Sequence, residues 1–183
     1  MIRRFIPKLL VVASAIAVLL MGLSGAIPAS AQQANVLGVF NNWSAFTAGS
    51  GSNLTCYAMS KPRATTPKTA SRGAIFLIVT DYPARRVKAE AEIVPGYAYK
   101  DNEVVSLGVG SEKFAFFGRT DSAKAGAAWI KNLGDNNALI KAMSEGVSAV
   151  AIGKSARGTR TVDTYSLAGF NDALAKIHAA CNM

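Results

Sequence analysis

The sequence predicts a mainly β protein, an antiparallel β-sandwich of immunoglobulin-like or related type, with two short helices of which the last is C-terminal. Short segments with period-two alternation recur at intervals of about 8 to 15 residues. Helical periodicity is confined to the last part of the chain, and no regular alternation of strands with helices precedes it. A partly open barrel is the alternative architecture for the same pattern.

The predicted strands are bounded by glycine, proline and asparagine. Residues 74–80 form a continuous apolar run, which is typical of a central strand that is covered on both faces. In residues 87–93 an apolar set alternates with Lys88, Glu90 and Glu92, so one face is expected to be dry and the other solvated. Trp43 opens an alternating segment and is expected to fill the core. The predicted strands cover residues 36–40, 43–47, 53–60, 74–80, 87–93, 104–109, 112–117, 147–152 and 161–167.

The two helices are predicted by apolar residues at helical spacing. The first covers residues 136–145, with Asp135 as its N-cap and Gly146 at its end. The closing helix follows a turn at Gly169, and its apolar stripe consists of Phe170, Leu174, Ile177 and Cys181. Residues 121–129 are ambiguous, and we interpret them as a loop or helical turn that seats Trp129 in the core.

Residues 1–31 have the three-part pattern of a secretory signal peptide. Arg3, Arg4 and Lys8 precede an apolar run over 9–23, and Ala29-Ser30-Ala31 predicts cleavage between Ala31 and Gln32. An uncleaved membrane anchor is the alternative. The general secretory route is favoured over twin-arginine export, so the signal is expected to contact the membrane only transiently. Residues 32–183 then form a single periplasmic or secreted domain.

The only two cysteines, Cys56 and Cys181, are expected to form a disulfide in an oxidising compartment. Free thiols and an intermolecular bridge are the alternatives. The intramolecular bridge would close most of the domain into one loop. The chain-entropy model gives about 4 to 5 kcal/mol of stabilisation for a loop of that length.

The densest basic cluster is a proline-containing loop that carries Lys61, Arg63, Lys68 and Arg72. Loss of the signal peptide leaves 17 basic and 11 acidic residues, a net charge of +6. The cluster is interpreted either as a solvated loop or as a patch for an anionic envelope polymer or a host surface component. The basic, glycine-rich segment 153–158 is similarly either a hairpin loop or an anion site. Nothing indicates nucleic-acid binding.

Motifs of enzymes, metals and cofactors are lacking. His178 is the only histidine, it falls at the border of the last helix's apolar stripe, and no Gly-x-Ser-x-Gly elbow accompanies it. Glu90 and Glu92 are interpreted as part of a solvated face rather than a catalytic pair. Metal ligands at recognisable spacing are missing, and no phosphate loop follows Gly108 and Gly110. The sequence thus predicts a protein that is not an enzyme and binds no cofactor or metal.

Three features together resemble the invasion-associated locus B family of exported bacterial proteins. They are Trp43 ahead of Cys56, the segment Leu-Ile-Lys-Ala-Met-Ser-Glu-Gly at 139–146, and Leu-Ala-Gly-Phe-Asn-Asp-Ala-Leu at 167–174. The resemblance covers most of residues 32–183. Better-known members carry further cysteines in mid-chain, so this sequence resembles a divergent branch. The family supplies no agreed catalytic residues.

The sequence favours an exported, non-enzymatic interaction module that binds an envelope or host-surface component. One alternative is a structural protein that maintains the envelope through its stability alone. A hydrolase that uses a serine with His178 is the remaining hypothesis. A groove beside the 61–72 loop is the expected binding region.

Overall fold

The computed structural model of the protein describes residues 34–68, 71–100, 102–121 and 126–183. The predicted signal peptide and the cleavage site at Ala31 and Gln32 lie outside these residues. No helix in the described ranges is long and apolar enough to cross a membrane. The described elements are β1 (Asn35–Phe40), β2 (Trp43–Ala48), β3 (Thr55–Ser60), β4 (Ala64–Thr66), β5 (Phe76–Tyr82), β6 (Val87–Val94), β7 (Val104–Val109), β8 (Glu112–Thr120), β9 (Gly126–Ile130), α1 (Asn136–Glu145), β10 (Ser148–Lys154), β11 (Arg160–Ser166) and α2 (Phe170–Cys181).

All of these strands belong to one antiparallel sheet. Its order is β1-β2-β3-β5-β6-β9-β8-β7-β10-β11-β4. The predicted mainly β class, with antiparallel strands and two helices of which the last is C-terminal, is confirmed. Hydrogen bonds join the strands into one continuous ladder, from β1 to β4 in the order given. A continuous ladder is the arrangement expected of the alternative architecture, a partly open barrel.

The two ends of the sheet approach each other. Arg63, just before β4, donates its backbone N–H to Thr164 O of β11 at 2.7 Å. Trp43 Nε1 of β2 donates to Ser166 O at 3.0 Å, and the Asn42 N–H donates to Ala168 O at 3.2 Å. The sheet therefore curls around a single core, with β11 and the chain that follows it brought against the β1–β2 hairpin.

The core lies on the inner face of this curled sheet. Trp43 is fully buried, as predicted, and its ring centroid is 4.9 Å from that of Phe170. Helix α2 packs across β1, β2, β3 and β5. Ala173 is fully buried on this helix, whereas the predicted stripe residue Leu174 is only half-buried. The apolar face of α2 thus closes the sheet over its first strands.

Gly169 allows the chain to turn directly into α2. Its φ is +88°, a conformation that residues with a Cβ rarely adopt, and an added Cβ would collide with the Phe40 carbonyl oxygen. The turn can therefore lie directly against the end of β1, which no residue larger than glycine would permit.

On the inner face of the sheet, three glycines leave the space that the Tyr99 ring occupies. Cβ atoms added to Gly118 or Gly153 would lie 2.9 Å or 3.0 Å from its ring, and one added to Gly126 would lie 3.0 Å away. The three glycines lie on β8, β10 and β9. The 97–99 segment can therefore pack directly on the sheet, with Tyr99 buried.

Three sequence predictions were wrong in detail. The 61–71 loop contains the short strand β4, because its backbone pairs with β11. Residues from Gly126 on form β9 instead of a loop or helical turn, and Trp129 is half-buried on the outer face, 6.1 Å from the Phe117 ring centroid. Strand β5 is fully buried on one face only, since Phe76 and Ile78 on the other face are half-buried.

Candidate functional site

Three of the four predicted basic residues of the loop are exposed together. Lys61 directly follows β3, Arg63 precedes β4, and Lys68 follows it. The pairing of β4 with β11 holds this segment at the edge of the sheet. The predicted exposure of the basic loop therefore holds for Lys61, Arg63 and Lys68, but not for Arg72.

Arg72 is buried and already paired. Its Nη1 and Nη2 donate to the two carboxylate oxygens of Asp163 at 2.6 Å each, and its Nε donates to Pro95 O at 2.8 Å. The side chains of Arg72 and Asp163 are only 5% and 3% exposed. Burial lowers the pKa of Arg72, but the hydrogen bond and the charge of Asp163 outweigh it, and the pKa is raised overall. Arg72 therefore has a structural role and does not belong to the exposed patch.

A cavity of about 590 Å³, which we call the lysine cavity, opens beside the exposed residues. Lys61 and Arg63 lie on its rim, and its remaining lining is neutral, including Phe46, Met59 and Phe76. Phe46 stacks on Tyr57 with ring centroids 5.1 Å apart, which gives this part of the outer face a firm apolar floor. The lysine cavity combines two cations with apolar surface at the position where the sequence predicts a binding groove.

A larger cavity of about 820 Å³, the hairpin cavity, lies at the other end of the same segment. Part of its lining comes from the loop between β10 and β11, and part from the chain on either side of Gly73 and Gly96. The lining includes Ser71, Arg72, Tyr97, Ser155, Arg157 and Thr159. The sequence indicated only the 153–158 part of this site, because the lining residues come from three separate stretches of the chain.

The polar groups beneath the hairpin cavity form one network. The Arg72 guanidinium lies over the Tyr97 ring, 5.0 Å from its centroid, and the Tyr97 hydroxyl is 2.6 Å from Thr161 Oγ1. Burial raises the pKa of Tyr97, while the hydrogen bond with Thr161 and the charge of Arg72 oppose that rise. Burial likewise raises the pKa values of Tyr99 and Tyr165. All three hydroxyls consequently stay protonated at physiological pH, and the Tyr97 hydroxyl is the one with a hydrogen bond to a side chain of this network.

A second buried carboxylate lies near the disulfide. Cys56 and Cys181, the predicted pair, are joined with a Cα–Cα distance of 6.0 Å. One turn earlier on α2, His178 Nδ1 lies 2.7 Å from Oδ2 of the fully buried Asp81. The Ala89 N–H also donates to Asp81 at 2.8 Å. His178 is thus a boundary residue, as predicted, but with a buried acidic partner that the sequence did not reveal.

The described residues do not complete a hydrolase site. His178 and Asp81 reproduce two members of a catalytic triad, but no serine hydroxyl bonds to the imidazole within the described part of the chain. Groups of three or more His, Cys, Asp or Glu at metal-binding distance are also missing from the described ranges. Glu90 and Glu92 are half-buried on the face away from the core, where burial and then the charge of Glu90 raise the pKa of Glu92.

Comparison with known proteins supports the predicted resemblance. The family model described as "Invasion associated locus B (IalB) protein" matches residues 43–178. Among solved structures, the chain is similar to the crystal structure of invasion associated protein B from Bartonella henselae, with a TM-score of 0.56 and 13% sequence identity. That match covers 81% of this chain and 99% of the other. A comparison with curated proteins gave no significant match.

Proposed function

The chain belongs to the invasion associated locus B family, and from that premise we propose that it is an exported, non-enzymatic interaction module. Its ligand in this proposal is an anionic component of the bacterial envelope or of a host cell surface. Such a role agrees with the invasion-associated name of the similar structure. The observation that carries the proposal is the lysine cavity with Lys61 and Arg63 on its rim.

The charge arrangement at this rim favours an anionic ligand. Lys61 and Arg63 are exposed and have no carboxylate within ion-pair distance in the described ranges, in contrast to the buried Arg72. Lys68 adds a third exposed cation to the same segment. Unpaired surface cations attract anionic partners over roughly one Debye length, about 8 Å at physiological ionic strength.

Two further features support action outside the cytosol. The pattern over residues 1–31 is that of a secretory signal. The disulfide between Cys56 and Cys181 is of a kind that persists in oxidising compartments. Together they support export to the periplasm or beyond.

The proposal is tested by binding of the purified protein to heparin and to vesicles that contain lipopolysaccharide. We expect binding that weakens as salt is added, and a loss of about tenfold or more when Lys61→Glu and Arg63→Glu are combined. Lys113→Glu with Lys176→Glu is the matched control, because both lysines are exposed and neither lines the lysine cavity.

Salt-independent binding, or an equal loss in both double variants, would remove the lysine cavity as the binding site. Export is tested separately, by locating the chain in cell fractions and sequencing its N-terminus. An uncleaved chain that remains in the cytosol would overturn that part of the proposal.

A further inference from the structure

We propose that the hairpin cavity is a second binding site, specific for an acidic sugar unit, meaning a saccharide that carries a carboxylate. This inference does not depend on the lysine cavity, since the two cavities share no lining residue. It rests on the rigidity of the walls, on the charge of the lining and on the kind of hydrogen-bonding groups that line it.

The walls are held together before any ligand arrives. The Gly73 N–H donates to Gly96 O at 2.8 Å, and the Ala156 N–H donates to Ala98 O at 2.8 Å. The first bond joins the Arg72 segment to the Tyr97 segment, and the second joins the Tyr97 segment to the β10–β11 loop. A site with fixed walls loses little conformational entropy when it binds a ligand.

The charges of the hairpin cavity leave one cation unbalanced. Asp163 neutralises Arg72 beneath the cavity. Arg157 is exposed on the lining, has no ion-pair partner in the described part of the chain, and meets no acidic residue among the lining side chains. A ligand with a single negative charge is therefore the best electrostatic match, and a guanidinium binds a carboxylate through two parallel hydrogen bonds.

The loop's backbone is not arranged as a nest for phosphate. Four N–H groups of the loop are already bonded within the protein. Ser155 N–H donates to Thr159 O, and Gly158 N–H donates to Ser155 O. Thr159 N–H donates to Ser155 Oγ, and Ala156 N–H donates to Ala98 O. Anion nests need such N–H groups to point at the ligand. The hairpin-loop interpretation of residues 153–158 therefore fits better than a backbone anion site, and recognition falls to side chains.

Those side chains suit a polyhydroxylated ligand. Hydroxyl groups of Ser71, Ser155 and Thr159 line the cavity, and each can both donate and accept. The half-buried Tyr97 adds apolar ring surface with a polar tip, which matches the mixed apolar and hydroxylated faces of a sugar. The volume of about 820 Å³ lies in the range of small-molecule sites and accommodates a short oligosaccharide.

The test compares three probes by NMR titration of the isotope-labelled protein. They are a hyaluronan tetrasaccharide, which carries carboxylates, an uncharged chitin tetrasaccharide of the same length, and inorganic phosphate. We expect saturable shifts at Tyr97 and at residues 155–161 with hyaluronan alone. Arg157→Ala should weaken that binding about tenfold, whereas Arg160→Ala should not, because Arg160 is exposed next to the site without lining it.

Each other outcome would overturn the inference. Equal shifts with chitin would show that the carboxylate is not recognised, and equal shifts with phosphate would indicate a general anion site. Shifts confined to residues 61–63 would refute the hairpin cavity while supporting the lysine cavity. The hairpin cavity would also be refuted if the Lys61→Glu/Arg63→Glu variant lost hyaluronan binding while Arg157→Ala bound it normally.

Discussion

Two buried carboxylates, Asp163 and Asp81, are held in different ways. Asp163 binds the Arg72 fork through both oxygens, and both side chains are almost fully buried. Asp81 is hydrogen-bonded to His178, which is 20% exposed, and accepts from the Ala89 N–H. Only the second carboxylate has a disulfide nearby, one turn away on α2.

The two regions therefore depend on electrostatics to different degrees. The segment before β5 is held to β11 by the backbone pairing of β4 and by the Arg72 pair, without a covalent link. Helix α2 is tied to the sheet by the disulfide, by an apolar face and by His178. We therefore expect the loss of one partner to destabilise the fully buried Arg72 pair more than the His178 pair, which is partly exposed.

Removing the covalent link should have the largest effect. The combination of Cys56→Ala and Cys181→Ala opens a loop with a sequence separation of 125 residues, and we expect the free energy of unfolding to fall by about 4 to 5 kcal/mol. Urea unfolding monitored by tryptophan fluorescence measures it. An unchanged urea midpoint would show that the bridge contributes nothing and that the apolar face and His178 hold α2 without it.

Arg72→Met should cost about 3 to 5 kcal/mol, because it leaves Asp163 buried and charged without a partner. The same urea experiment applies, with the exposed Arg63→Met as a control that should change stability by less than about 0.5 kcal/mol. Adding Asp163→Leu to Arg72→Met should recover much of the loss, since no unpaired charge then remains. A double variant as unstable as the single one would contradict this account.

His178→Ala should cost less, about 1 to 3 kcal/mol, because Asp81 keeps its bond from the Ala89 N–H. The exposed neighbour on the same helix, Lys176→Ala, serves as control. The urea unfolding curves of His178→Ala and Lys176→Ala, each compared with that of the natural protein, measure this cost. A cost equal to that of Arg72→Met would mean that the two buried pairs are equivalent after all.

Glu92 is a third carboxylate, half-buried, whose charged neighbour is Glu90 instead of a cation. Burial and then Glu90 raise its pKa in the folded state above the unfolded value near 4.5. The stability linked to its protonation is thus fully present below that value and is lost as pH rises through the folded pKa. Glu92→Gln should therefore be more stable than the natural protein at neutral pH, by less than about 1 kcal/mol.

The measurement for Glu92→Gln is the urea midpoint as a function of pH. The gain should vanish at acidic pH, where both side chains are neutral. The exposed Glu112→Gln should show no such gain. A gain that persists unchanged at acidic pH would show that the charge of Glu92 is not its cause.

Much of this fold follows from local patterns in the sequence. Both helices occupy the predicted residues, 136–145 and 170–181, because their apolar spacing and flanking glycines are local signals. The predicted partners Cys56 and Cys181 could be matched since the chain has no other cysteine. Strand β4 was missed because three residues with prolines on either side show no periodicity.

The polar sites were harder to predict, because their partners lie far apart in the sequence. Arg72 is 91 residues from Asp163, and His178 is 97 residues from Asp81. An isolated arginine in a basic loop gives no sign that it will be buried, so Arg72 was grouped with Lys61 and Arg63. The exposed rim could be predicted from composition, whereas the hairpin cavity required the complete sheet order.

The ring of Tyr99 makes four positions of the chain interdependent. Gly118, Gly126 and Gly153 together leave the space that this one side chain occupies. A methyl group gained at position 118 or 153 would have to be matched by a smaller residue at position 99. One gained at position 126 would also collide with the Tyr97 backbone oxygen. In divergent relatives glycine should therefore persist at position 126, while positions 99, 118 and 153 change in concert and conserve their total volume.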